Sequence, residues 1–542
     1  MMKENKILIL FYVLSIAPYS IYILKLPLSP AGDWSYFNSL GLVIGDAIRD
    51  FRMPLLDPWI CGGIDILSNP QNWIYSPLVV LNLFLNPYIA NLLSLLICSI
   101  FGYWGMLKLC EGMEATYERY LISALFNLSP FFFLHFAEGH IVYRTFYFLP
   151  FVLYLSTKLN TLSNLWWLLL ILAGMFLDGG LYPLYFSIFL VVFNTNYPGL
   201  YRLITDRRNF KVLVITCIGI SFLLLAKILP VLYVHHDRSP VTEAANYSLA
   251  NIIQAFFDIR QSNYLTMKGQ KFFLHEYGHY LGLGLTVVFI SLIPKMKNHI
   301  KIIIQFFSYG WIALGLGGEF NPWTIIKSIP FINHMHVQSR VLILFYLMML
   351  VLIIKGYSSK QWRKWLLHLA IIELVACGGY ASYHAFKHTI AKDQFKLAQT
   401  SLPINQYVKS MPKPEIYSSR LLSYECYEPA KSQKILPYSN LFFNVDHGAK
   451  AVFSNESVDI ITDKPLDESF IFNYNWNGGW TCLEGCKTKS MNGLIEIHPT
   501  KTGAITLKYD PVYWLVSLVY FLIGIFFMIV ARKRISRLDY FV

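Results

Sequence analysis

The feature that most constrains this chain is a succession of apolar runs, each close to a membrane's thickness in helical length, separated by short basic clusters. Runs at 6–26, 88–108, 120–137, 143–158, 164–177, 180–196, 212–231, 281–295, 301–317, 340–356, 363–381 and 511–531 read as about twelve spans. Only 14% of the 542 residues are charged and 55% are hydrophobic, with a mean hydropathy of +0.45. Too few polar groups remain to cover a soluble surface, so the fold class is a polytopic α-helical membrane protein.

The formal net charge of +13 would suit a nucleic-acid binder if the bases formed one patch. They alternate with the spans instead. Lys108/Arg119, Arg202/Arg207/Arg208/Lys211, Lys295/Lys297/Lys301, Lys360/Arg363/Lys364 and Arg532/Lys533/Arg534/Arg537 all fall on one side, which the positive-inside rule makes cytoplasmic, with both termini. Lys3 and Lys6 precede the first run, and no small-residue cleavage site follows, so the first span reads as uncleaved. The opposite side carries the long segments 27–87, 232–280, 317–339 and 382–510, where function is expected.

Two of those segments have an internal pattern. In 34–51, Trp34, Phe37, Leu40, Ile44, Ile48 and Phe51 recur every three to four residues, with Asp46, Arg49 and Asp50 on the opposite arc. This predicts an amphipathic helix lying on the membrane surface. The Pro-, Gly- and Asn-rich stretch that follows, to about residue 81, predicts a structured loop. Segment 382–510 alternates in short runs such as "SFIFNYN" and "AITLKYD", which predicts a small extracytoplasmic β-sandwich-like domain. The domain division is thus 1–381 for the membrane module, 382–510 for the β-rich domain, and 511–542 for a last span and basic tail. Within the β-rich segment Cys482 and Cys486 are expected to pair as a disulfide across a tight turn. Cys98, Cys110, Cys217 and Cys377 lie in or beside apolar runs as packing residues.

Residues 275–284, "HEYGHYLGLG", contain the zinc-protease pattern H-E-x-x-H. On a helix, His275 and His279 would share one face, with Glu276 placed to activate water. A third ligand is hard to find. The position six beyond His279 is Leu285, Glu319 stands in a Gly/Pro context, and the "LDGG" at 177–180 lies upstream. Gly278, Gly282 and Gly284 also weaken a helix here. A zinc membrane protease therefore stands as a minor alternative.

Several stretches, taken in order, resemble the YfhO-like bacterial membrane proteins, within the GT-C superfamily of polytopic glycosyltransferases. They are "SPAGDW", "PLLDPWICGGIDILSNPQNWIYSP", "LSPFFFLHFAEGH", "DGGLYP", "LAKILPVLY", "EYGHYLGLGLTVVFIS", "NPWTIIKSIPFINHMHVQSR" and "GGWTCLEG…GAITLKYDPVYW", covering nearly the whole chain. The chain departs from the family at His336, where an arginine is common, and at Gly478-Gly479-Trp480, where a Pro-Gly-Trp is common. The resemblance implies a glycosyltransferase. It would move a sugar from a polyprenyl-phosphate-linked donor to a glycan or lipid acceptor on the extracytoplasmic face of the bacterial cytoplasmic membrane.

Such a transfer needs a carboxylate to take the acceptor's proton and cations to stabilise the departing phosphate. Asp33, in the position of the superfamily's first-loop acid, is the first candidate base, and it also stands where a helix N-cap would. Glu138 and Glu276 are the other acids expected at that level, while Asp57 and Asp65 read as turn residues. Arg144, Lys227 and Arg340, with His140, His279 and His336, are the candidate substrate-binding groups. Arg238 is a weaker one. The cofactor stays unknown: the acid and imidazole groups could hold a divalent metal ion, but none is assigned as a ligand. A transporter or flippase of lipid-linked sugars is the other alternative, and it would show paired repeats and charges at mid-membrane.

Overall fold

The computed structural model describes residues 2–24, 29–30, 33–58, 62–235, 247–262, 273–316, 320–328, 335, 337–385, 389–390, 407–408, 422–423, 450–453, 456–462, 468–476, 478–491, 493–499 and 504–539. Among them, seven helical segments are long and apolar enough to cross a membrane: Lys6–Leu24, Pro87–Leu109, Thr116–Glu138, Asn209–Val234, Gln338–Gly356, Gln361–Ala385 and Tyr513–Arg537. Five shorter apolar helices, Ile141–Thr157, Leu162–Leu177, Leu181–Asn194, Leu283–Met296 and Ile300–Leu314, stand where the remaining spans were expected. At 1.5 Å per residue the shortest rise only about 21 Å, less than a hydrocarbon core. The chain is a polytopic α-helical membrane protein carrying additional β-sheets.

Thr116–Glu138 and Gln338–Gly356 are almost wholly enclosed and form the centre of the bundle. The first is interrupted: one helix ends at Asn127, and Pro130 opens the next at a position where its missing N–H is no loss. Asn209–Val234 and Tyr513–Arg537 pair at the periphery, where small residues let the two helices approach closely. A Cβ on Gly524 would come within 2.7 Å of Leu223. Their outer faces present Leu225, Leu515, Leu522 and Phe526, the surface a lipid phase accepts.

The helix Trp34–Arg49 forms as its periodicity predicts, but it does not lie on a surface. Trp34, Phe37, Leu40, Val43 and Ile44 are buried, and so are Asn38 and Ser39 on the more polar side. Gly41 and Gly45 allow the close contact with the 82–87 segment that covers it. Phe51, placed by sequence on the apolar arc, is exposed and has φ +55.

In the segment expected to be a β-sandwich, the described strands from 450 onward form two antiparallel sheets that do not close into a sandwich or barrel, while Tyr407–Val408 pairs in parallel with Leu422–Ser423 and Thr389–Ile390 pairs with Ser29–Pro30. Trp480–Cys482, Ile505–Tyr509, Ser457–Ile461 and Lys450–Phe453 make a four-stranded sheet in that order. Lys487–Met491, Leu494–His498 and Phe470–Asn475 make a three-stranded one. Phe453, Phe472, Tyr474, Trp480 and Tyr509 pack in a continuous aromatic cluster between them. Cys482 and Cys486 are joined as a disulfide, with Cα atoms 5.4 Å apart.

The 53–76 loop docks against these sheets. Asn475 N–H donates to Gly62 O (2.8 Å), and Tyr474 OH donates to Pro58 O (3.1 Å). Gly63, at φ +83, leaves no room for a Cβ beside the Tyr474 ring. Asp65, expected to be a turn residue, is fully buried and accepts from Tyr509 OH and Tyr513 OH, each at 2.7 Å. Burial pushes its carboxyl up, and these donors only partly pull it back.

Candidate functional site

One end of the helix bundle gathers most of the candidate groups, and a helix C-terminus arranges the first of them. Pro130–Glu138 ends in a Schellman motif. Its closing bonds run from His140 N–H to His135 O (2.9 Å) and from Gly139 N–H to Phe136 O (3.1 Å). The reversal swings the His140 ring back over the helix end. His135 Nδ1 and His140 Nδ1 then lie 2.8 Å apart. Gly139 serves twice: its φ is +99, and a Cβ there would strike the Trp34 backbone nitrogen.

That close approach brings Asp33 into place. Its backbone N–H donates to Glu138 O (2.8 Å), and Trp34 fixes the register through an indole N–H bond to Phe136 O (2.8 Å). The Asp33 carboxylate makes no cap bond to the helix that it precedes. It faces His140 instead, with Oδ2 3.3 Å from Nε2.

The opposite wall comes from "HEYGHYLGLG". Helix forms for a single turn, Leu274–Tyr277, and ends where Gly278 turns extended. The chain then runs beside 255–261, with His279 N–H donating to Ala255 O (2.9 Å). Helix resumes at Leu283, where the Glu373 carboxylate accepts from the N–H groups of Leu283 (3.2 Å) and Gly284 (3.0 Å). His275 and His279 therefore do not share a helical face, and the H-E-x-x-H geometry is not built. His279 is fully buried, beside Ser129 and 5.0 Å from the Tyr346 ring centre, and burial pushes its imidazole down to about 3.

Glu276 points to the centre and is held by Arg340, whose Nε lies 2.7 Å from Oε2 while Nη2 contacts Oε1. Ser339 OH donates to Glu276 O (2.6 Å), tying the start of Gln338–Gly356 to this turn. The Arg340 guanidinium lies 5.1 Å from the Tyr143 ring centre and 4.5 Å from that of Tyr182. Burial would raise the Glu276 carboxyl, but Arg340 and His275 outweigh it and hold the group well below the usual carboxylate range. Burial would lower His275, and the adjoining Glu276 and Glu138 outweigh that and raise it.

Asp33, Glu138, His140, Glu276 and Arg340 are thus brought together as the sequence suggested. Arg144 and Lys227 are not turned to the same centre. Arg144 is enclosed in a two-point pair with Asp178, at 2.7 and 2.8 Å. The Lys227 ammonium donates to Phe176 O (2.7 Å), Leu177 O (3.5 Å) and Asn72 O (2.8 Å), so it caps the end of Leu162–Leu177 and pins the loop to it. Both are architectural ties, their donors met by protein groups. His336, Glu319 and Arg238 lie outside the described residues.

His135 is the member that sequence reasoning passed over. It stands in an apolar run, and the signal was the five-residue spacing to His140 across a Glu-Gly helix stop. Among the described residues, His135, His140 and Glu276 each offer one atom within 4.8 Å of the others, a set that could hold a divalent ion. The fold and this cluster define a polytopic membrane protein with a charged, imidazole-rich site at the ends of its spans. The chain matches no protein-family profile, no curated protein and no solved structure.

Proposed function

We propose that the chain is a membrane glycosyltransferase of the GT-C type. It takes a sugar from a polyprenyl-phosphate-linked donor and passes it to an acceptor on the extracytoplasmic face of a bacterial cytoplasmic membrane. The observation that carries this reading is the convergence of Asp33, Glu138, Glu276 and Arg340, from four separate stretches of chain, at one end of the bundle. The basic clusters Lys295/Lys297 and Arg532–Arg534 lie at the other ends of their helices, and the positive-inside rule makes that side cytoplasmic. The cluster then lies at the level of a lipid phosphate on the outer surface.

The acceptor hydroxyl oxygen attacks the anomeric carbon while the bond from that carbon to the phosphate oxygen breaks. Asp33, oriented by His140, takes the hydroxyl's proton. The lipid phosphate departs with the electron pair of the broken bond. Arg340, already positioned by Glu276 and flanked by Tyr143 and Tyr182, offers it a preorganised cation. Tyr143 and Tyr182 also supply ring faces beside the reacting sugar.

The test is lipid-linked saccharide profiling in cells carrying the wild-type gene or Asp33→Asn at matched membrane levels. The expected result is an accumulated donor lipid and loss of the glycosylated product in the variant. Identical profiles would remove the reading.

A further inference from the structure

His135 and His140 face each other nitrogen to nitrogen, their Nδ1 atoms 2.8 Å apart. Two lone pairs do not occupy such a contact without a positive centre, a proton or a metal ion, between or beside them. The neighbours of His140 decide its tautomer. Asp33 Oδ2 faces Nε2 at 3.3 Å, and a proton held on that nitrogen leaves the lone pair on Nδ1. A carboxylate behind an imidazole in this way is the usual outer support of a metal-ligating histidine. Glu276 is supported likewise, by Arg340.

A second observation comes from His135. Its side chain is fully enclosed, and among the described residues its Nε2 has no hydrogen-bond partner. Among those residues the hydrogen bonding of this enclosed imidazole runs to His140 alone, with a Glu276 oxygen within 4.8 Å, and an ion shared by the three is among the ordinary explanations of such a group.

We infer that His135, His140 and Glu276 form a binding site for a divalent first-row transition-metal ion. Two imidazoles and one carboxylate suit zinc, manganese, iron or cobalt. Magnesium and calcium favour all-oxygen sets. Metal–nitrogen bonds of about 2.1 Å separate two ligands by about 3.0 Å at right angles and about 3.4 Å in a tetrahedron. The observed 2.8 Å is the right-angled case. Three protein ligands in that arrangement leave positions open for water or a substrate oxygen. His279, the second histidine of H-E-x-x-H, is no part of the site. Asp33 is a positioning residue for it, acting through His140. The inference does not rest on sugar transfer.

The experiment uses the full chain in detergent micelles, stripped with chelator and titrated with zinc or manganese chloride in the absence of any sugar donor. Bound metal is counted by mass spectrometry, and cobalt substitution reports the ligand field. About one zinc per chain is expected, with magnesium failing to displace it. His135→Ala and His140→Ala should each abolish it, while His279→Gln retains it. Asp33→Asn, which keeps all three ligands, should weaken binding by about 10–100-fold. Zinc retained by both alanine variants, or absent from the wild type, would overturn the inference. If an alanine variant is not monodisperse, Asp33→Asn decides: an unchanged affinity overturns it. No donor is present in the assay, so a metal-free result leaves the glycosyltransferase test separate.

Discussion

Glu276 and Arg340 are each only 4–5% exposed and meet in a two-point contact, so removing one charge leaves the other enclosed without a partner. Glu276→Gln keeps the side chain's shape and one acceptor. Breaking a buried pair from one side costs about 3–5 kcal/mol, and the retained acceptor puts this variant near the lower end. The double variant Glu276→Gln/Arg340→Met removes the stranded charge as well and should return to within about 1–2 kcal/mol of wild type. Equilibrium unfolding in mixed micelles at pH 7, followed by tryptophan fluorescence, measures all three. The pH dependence carries a sign. Glu276 lies lower in the fold than in the unfolded chain, so the pair's contribution is present above the ordinary carboxylate value. It is lost as pH falls through the lowered one. The gap between wild type and Glu276→Gln should narrow in stronger acid, and should also narrow as pH rises through the His275 value that Glu276 raises. A single variant costing under 1 kcal/mol, or a double variant no more stable than the single, would refute the reasoning.

Gly139→Ala should cost about 2–5 kcal/mol, since a left-handed φ costs about 1–2 kcal/mol outside glycine and the overlap with Trp34 adds about 1–3 kcal/mol; the same unfolding assay measures it. His279, pushed down to about 3 by burial, stays neutral in the fold while the unfolded chain protonates near pH 6.5. Wild type should therefore lose about 1 kcal/mol per pH unit below 6.5 relative to His279→Gln, and parallel curves would contradict this. Tyr509→Phe/Tyr513→Phe strips Asp65 of two donors, so amide hydrogen exchange in 53–76 should quicken by a factor of ten or more, corresponding to about 1.5–3 kcal/mol for a bond to a charged group.

The spans were legible because a bilayer demands long apolar runs, and the Lys and Arg clusters mark their ends. Asp33, Glu138, Glu276 and Arg340 were legible for the converse reason: charges at the ends of apolar runs are expensive without a task. Arg144 and Lys227 satisfy the same rule, and the structure turns them to protein partners instead. Their partners, Asp178 and the carbonyls of Phe176 and Asn72, are 34 to 155 residues away, beyond any local pattern. His135 was missed because its relation to His140 exists only once the helix reverses at Gly139. For Trp34–Arg49 the periodicity was correct and the environment was not. An apolar stripe has no mark that separates a lipid neighbour from a protein one, and the covering segment meets the helix through glycines that look unremarkable in sequence.

The bonds from Tyr509 and Tyr513 to Asp65 span more than 440 positions of chain. At about 5–20 residues per second, a ribosome needs roughly 20–90 s to get from one to the other. During that interval the 53–76 loop has been synthesised, yet the strand and helix that bury it do not exist. Asp65 stays hydrated, and Tyr75 lacks Ser517 and Phe521, against which it closes. The nascent protein must pass this period as an open bundle. The closing step belongs to the last span, and a chain truncated before Tyr509 would be expected to reach quality-control proteases rather than a partly active state.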